Sequence, residues 1–156
     1  MTGCVLGNEP IPPEPHDYYA YSASPYVRRH SLGGLALVNR AAGCNLVGTA
    51  EAGEYVLPIW EVEEHDSSPT TIGCAYIDEM FADTKYKRPI RLVSYVLRTE
   101  HVDRLVAHEV GHTLGLHHSE DGFIMAESVN MASDDFSPED ASYLRYLCDY
   151  LPNYED

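Results

Sequence analysis

The 156-residue sequence predicts one α+β domain, with its strands early and its two best-marked helices late. "RPIRLVSYVL" (88–97) alternates as a half-buried strand does. "TEHVDRLVAHEVGHTLGL" (99–116) sets Val102, Leu105, Val106, Val110 and Leu114 at helical spacing. "SPEDASYLRYLCDYL" (137–151) opens with serine, proline and two acids, the order that caps a helix, fixes its first φ and complements its dipole.

The remaining elements follow in chain order. Residues 1–30, with "NEPIPPEPHDYY", read as a proline- and tyrosine-rich irregular arm. "SLGGLALVNRAAGC" (31–44) has apolar residues near helical spacing and reads as a helix with Ser31 at its N-cap. "EYVLPIWEVEE" (54–64) contains an extended run. Pro58 has no N–H for a ladder, so the run is expected at an edge or as an interrupted strand. "TTIGCAYID" (70–78) is β-rich. The 99–116 helix begins with Thr99 as a cap followed by an acid. Residues 117–136 show no period, and no repeat or low-complexity tract appears. The chain thus divides into the arm, 1–30, and a folded domain, 31–156.

Composition narrows the function. The net charge is −15, from 25 acids against 10 bases, which argues against nucleic acid or an anionic membrane as partner. No apolar run is long enough to span a bilayer. Ca2+ is conceivable for so acidic a chain, but no D-x-D-x-D-G loop is present. Nothing points to an oligomer, so a monomer is the default expectation.

Four of the eight histidines fall between His108 and His118. His108 and His112 are four apart, which puts both imidazoles on one helix face. Zinc takes nitrogen ligands at about 2.0–2.1 Å, and this pair supplies two. Glu109 is turned roughly 100° away, so it reaches a water near the metal rather than the metal itself. Gly115 can take a left-handed conformation and end the helix, letting the chain turn back with a third ligand. His118 stands at that distance and completes H-x-x-x-H-x-x-G-x-x-H, with His117 as its competitor. Three protein ligands leave a fourth position open, the mark of a catalytic zinc.

"HEVGHTLGLHH" resembles the zinc signature of the metzincin clan of endopeptidases at every fixed position. "GFIM" supplies Met125, seven residues after His118, for the methionine turn that the clan places beneath its metal, with Met131 as runner-up. Within the clan the chain looks most like the matrixins, through Ser119 after the third histidine, the short path to Met125, and "FSPEDASYLRYL". Ala126 and Glu127 stand where matrixins usually carry tyrosine and proline. The resemblance implies a twisted, mostly parallel sheet with an antiparallel edge strand and an active-site helix. It also implies an upper subdomain, 31–118, and a small lower one, 119–156, with one helix. It further implies a zinc endopeptidase with His108, His112 and His118 as ligands and Glu109 as general base. "TIGCAYID" looks like the clan's substrate-binding edge strand, so Ile72, Gly73, Cys74, Ala75 and Tyr76 are expected against a peptide substrate, with Val110 and Thr113 shaping a side-chain pocket. The rival classes are a metalloenzyme acting on another bond and a structural or assembly protein that keeps zinc without turnover.

Cys4, Cys44, Cys74 and Cys148 form no C-x-x-C pair, and an even count allows two disulfides. In matrixins the N-terminal segment packs beside the last helix, which implies Cys4–Cys148; Cys44, ending the first helix, and Cys74, on the expected edge strand, both fall in the upper part of the domain and are expected to pair. A secreted or extracytoplasmic location is expected, and a lipid-anchored form through Cys4 in "TGC" is a variant of it.

Overall fold

Five strands form the sheet of the computed structural model, which describes residues 20–22, 25–49, 56–62, 73–74, 90–93, 100–128 and 133–150. The strands are β1 (Ala20–Ser22), β2 (Gly48–Thr49), β3 (Val56–Val62), β4 (Gly73–Cys74) and β5 (Ile90–Val93). The helices are α1 (Pro25–Ala42), α2 (Val102–Thr113) and α3 (Pro138–Tyr150). The sheet order is β2-β1-β3-β5-β4. β1 runs parallel to β2 and to β3, and β3 runs parallel to β5. Among the described strands only β4 is antiparallel, pairing Gly73 with Leu92 and Cys74 with Arg91 at the end of the order. Parallel neighbours need a crossover connection, and α1 supplies it between β1 and β2.

Part of the expected arm is regular structure. Ala20–Ser22 is an inner strand, and α1 begins at Pro25, six residues before Ser31. Ser31 is therefore inside the helix rather than at its cap. Its buried hydroxyl donates to the Val27 carbonyl one turn back, at 2.7 Å, the alternative use of serine in a helix interior. The helix ends at Gly43, whose φ of 77° is left-handed and whose N–H bonds to Asn39 O at 2.9 Å. The Asn39 side chain then accepts from the N–H groups of Leu46 and Val47 and donates to Val47 O, guiding the chain into β2.

Of the two placements expected for Pro58, the edge is excluded, because β3 is a central strand. Its pairing changes sides at the proline: Val56, Leu57 and Pro58 pair with β1, and Ile59 to Val62 pair with β5. The missing N–H falls at that changeover, where it costs least.

α2 begins later than 99. Its N-cap position is His101, which makes no side-chain capping bond, and Thr99 lies outside the described residues. α3 keeps the expected cap: Ser137 Oγ accepts from the N–H of Asp140 at 3.1 Å, with Pro138 first in the helix. α1 lies against both α2 and α3. The core between helices and sheet contains Leu35, Val38, Ile59, Leu92, Leu105 and Leu144, each no more than 4% exposed.

One disulfide is found among the described residues, and it joins Cys44 to Cys148, tying the end of α1 to α3. It overturns both expected pairings, Cys4–Cys148 and Cys44–Cys74. The packing of α3 on α1 brings those two helix ends to a Cα separation of 6.2 Å, a contact that no local pattern announces.

Candidate metal centre

α2 presents the first two histidines from one buried face. His108 and His112 are at most 1% exposed, with ring centroids 4.6 Å apart. His118 joins them from the chain beyond the helix, its ring centroid 5.1 Å from His108 and 5.0 Å from His112. One ring nitrogen of each of the three lies within 4.8 Å of the others. His117 does not take part in this cluster.

The turn that delivers His118 is a closed hydrogen-bond motif. Gly115, with φ of 107°, sends its N–H to His112 O at 3.0 Å, and Leu116 sends its own to Gly111 O at 3.0 Å. This is the Schellman pattern, and the left-handed residue it requires is the glycine. Beyond it, Ser119 N–H donates to Met125 O at 2.9 Å, and Ala126 N–H donates to Phe123 O at 3.0 Å. Met125 therefore sits in a tight turn beside the third histidine, fully buried. A Cβ on Gly111 would come within 2.7 Å of the Met125 sulfur, so the helix has a glycine where the methionine packs against it.

Backbone carbonyls set the ring orientations. His108 Nδ1 is 2.7 Å from Ile124 O, and His112 Nδ1 is 2.7 Å from Leu116 O. A carbonyl oxygen only accepts, so each Nδ1 carries the ring proton. Both Nε2 atoms are then bare acceptors, and they face each other at 3.0 Å. Two lone pairs at that distance repel unless a cation lies between them. The gap is close to the roughly 3.3 Å edge that two ligands at about 2.0–2.1 Å make around a tetrahedral ion. The residues therefore fit zinc, whose histidine ligands ordinarily donate their other ring N–H to a carbonyl, as these two do.

Electrostatics agree. Burial lowers the His108 pKa to about 3, against a raising contribution from the bond to Ile124. Burial first, and the neighbouring His108 next, hold His112 well below the usual histidine value. His118 is lowered too, mainly by burial, with the Glu127 charge opposing. All three are thus held neutral, as metal ligation requires. Glu109 is fully buried, its Oε1 is 4.0 Å from His108 Nε2, and neither carboxylate oxygen has a hydrogen-bond partner. Burial pushes its pKa well above the ordinary carboxylate range. A carboxyl kept dry beside a cation site, with nothing else to bond, is placed to exchange a proton.

The other expected site residues divide between the sheet edge and the core. Gly73 and Cys74 form β4 at the sheet edge, while Ile72, Ala75 and Tyr76 lie outside the described residues. Val110 is fully buried in the core, and the buried Thr113 hydroxyl donates to Val110 O at 2.6 Å. Neither presents a surface. Sequence reasoning missed the carbonyls of Leu116 and Ile124, which no residue type signals, and it gave no role to Gly111. A groove of about 540 Å³ opens beside His118, walled by His117, Ser119, Glu120, Ser137 and Asp140.

Residues 55–119 match the model of the family described as Metallo-peptidase family M12B Reprolysin-like. That stretch spans β3 to the third histidine. No curated protein matches significantly. Among solved structures, the archaemetzincin (amzA) of Methanopyrus kandleri superposes with a TM-score of 0.50 at 16% identity, over 82% of this chain and 95% of that one. The fold is thus metzincin-like. The family match and the three-histidine cluster together support a zinc metallopeptidase of that type.

Proposed function

We propose that the chain is a zinc-dependent endopeptidase that hydrolyses peptide bonds in extended protein substrates. The observation that carries this reading is the His108–His112 pair, with its Nε2 atoms turned together by two carbonyls and the unpartnered Glu109 carboxyl alongside. His108, His112 and His118 would hold the ion through ring nitrogens. Bound there, zinc would supply Lewis acidity, for polarising the scissile carbonyl and acidifying water. Glu109 takes the proton of the attacking water and passes it to the leaving amine. Its buried surroundings raise its proton affinity, which favours accepting that proton.

The substrate would pair with the edge strand that includes Gly73 and Cys74, as an added strand running over 72–76. Val110 and Thr113, being buried, would set the position of the pocket wall from behind. The cleft would separate residues 31–118 from 119–156. Within the clan, Ser119, the spacing to Met125 and the last helix favour matrixin-like architecture, whereas the matching family model is reprolysin-like. The disulfide suits an oxidising compartment and so supports a location outside the cytoplasm.

Metal analysis and a quenched-peptide assay on wild type and Glu109→Ala test the reading. Turnover by the wild type, lost in the variant with zinc retained, is the expected result. Bound zinc without turnover in either would point instead to a structural or assembly role.

A further inference from the structure

We infer that Tyr143, on α3, is a positioning residue for the third zinc ligand; the inference rests on the zinc reading above. Its hydroxyl donates to Leu114 O at 2.7 Å, across 29 residues of sequence. Leu114 is the C-cap of α2, and a C-cap carbonyl has no partner within its helix. Three other bonds around this turn lie within the segment itself: Gly115 to His112, Leu116 to Gly111, and His112 Nδ1 to Leu116. Tyr143 thus ties α3 to the start of the segment that leads to His118. The far side of His118 is fixed through Ser119 and Met125. α3 is a firm place from which to hold the turn. It is capped by Ser137, buried through Leu144 and Leu147, and bonded through Cys148 to Cys44, just beyond the end of α1.

His118 is the ligand that most needs such support. His108 and His112 share a helix, and both have a carbonyl on Nδ1. His118 lies after the helix, is only half-buried, and depends on the path of a turn. The tyrosine hydroxyl therefore acts on the metal through backbone, without touching it.

The test measures zinc affinity by chelator competition, and melting with and without zinc, for wild type, Tyr143→Phe, His118→Ala and the double variant. Tyr146→Phe, at an exposed tyrosine of the same helix, is the control. Loss of an outer partner weakens metal binding by about tenfold to a hundredfold, and the lower end is expected for Tyr143→Phe because it acts one step further out. Zinc should also raise its melting temperature by less than it raises that of wild type. In the His118→Ala background the same change should leave zinc affinity unaltered, since the turn then presents no ligand. A purely structural tyrosine would lower melting equally with and without zinc and leave affinity unchanged, and that result overturns the inference. If Tyr143→Phe weakens zinc equally in both backgrounds, the coupling to His118 is refuted. A wild type that binds no zinc overturns the site reading, and this inference with it.

Discussion

Gly34→Ala should loosen the seam that holds the metal-bearing helix, and the neighbouring Gly33→Ala should not. A Cβ at Gly34 would meet Val106 Cβ and would sit 2.5 Å from Val106 Cγ1 and 2.9 Å from the backbone oxygen of Asp103. Carbon atoms in contact prefer about 3.5–4.0 Å, so α1 and α2 must part by roughly 1 Å. Backbone cannot rotate away, and Val106 is 1% exposed and locked in the core. Such overpacking costs about 1–3 kcal/mol or more, and alanine returns close to 1 kcal/mol through helix propensity. A net loss of about 2 kcal/mol would lower Tm by roughly 4–8 °C in a domain of this size. At Gly33 the obstacle is the Asp103 carboxylate, an exposed group that can swing aside. Gly33→Ala should therefore be neutral or slightly stabilising. Thermal melting by circular dichroism on both variants decides the matter. A Gly34→Ala protein that melts at or above wild type would refute the close-packing argument, as would equal losses at both positions. Val106 precedes His108 by two residues, so zinc affinity should fall with Gly34→Ala and hold with Gly33→Ala.

Other outcomes follow from single contacts. His118→Ala should lose most bound zinc in metal analysis, while His117→Ala should keep it; the reverse would exchange their roles. Met125→Leu, a swap of similar volume at a fully buried site, should cost less than about 1.5 kcal/mol of stability while peptide turnover is largely kept. Ser137→Ala removes the α3 cap and should cost about 1 kcal/mol, read as a fall of roughly 2–4 °C in melting.

What the sequence revealed and what it hid divide along a physical line. α3 was legible because its start is written in adjacent residues: Ser137, Pro138, Glu139 and Asp140 each act within one turn. The histidine cluster was legible for the same reason, since i, i+4 spacing and the glycine at 115 fix geometry locally. Ser31 misled because serine serves a cap and a helix interior alike, and nothing nearby showed that α1 already runs from Pro25. Pro58 misled because its tolerance depends on where β1 stops pairing and β5 begins. The carbonyls that orient His108 and His112 belong to main chain, which every residue has. Tyr143 is one of 12 tyrosines, and only the placement of α3 distinguishes it.

The disulfide shows how far such long-range facts reach into function. Cys44 and Cys148 are 104 residues apart, and the loop they close contains α2, all three histidines and Met125. On the chain-entropy model, closing a loop of this length stabilises by about 4.7 kcal/mol, because it restricts the unfolded chain. Replacing both cysteines by alanine should then lower Tm by roughly 9–19 °C, at about 2–4 °C per kcal/mol. The effect acts on the unfolded ensemble, so the folded site should barely change. Leu144 and Leu147 still bury α3, and Ser137 still caps it. Below its melting point, the double variant should bind zinc with wild-type stoichiometry. Melting and metal content measured on one preparation separate the two consequences. An unchanged Tm would show that the loop entropy is offset elsewhere. Zinc lost from a protein that is still folded would show that the Cys44–Cys148 bond holds the native turn at His118 in place, and the staple would then belong to the site itself.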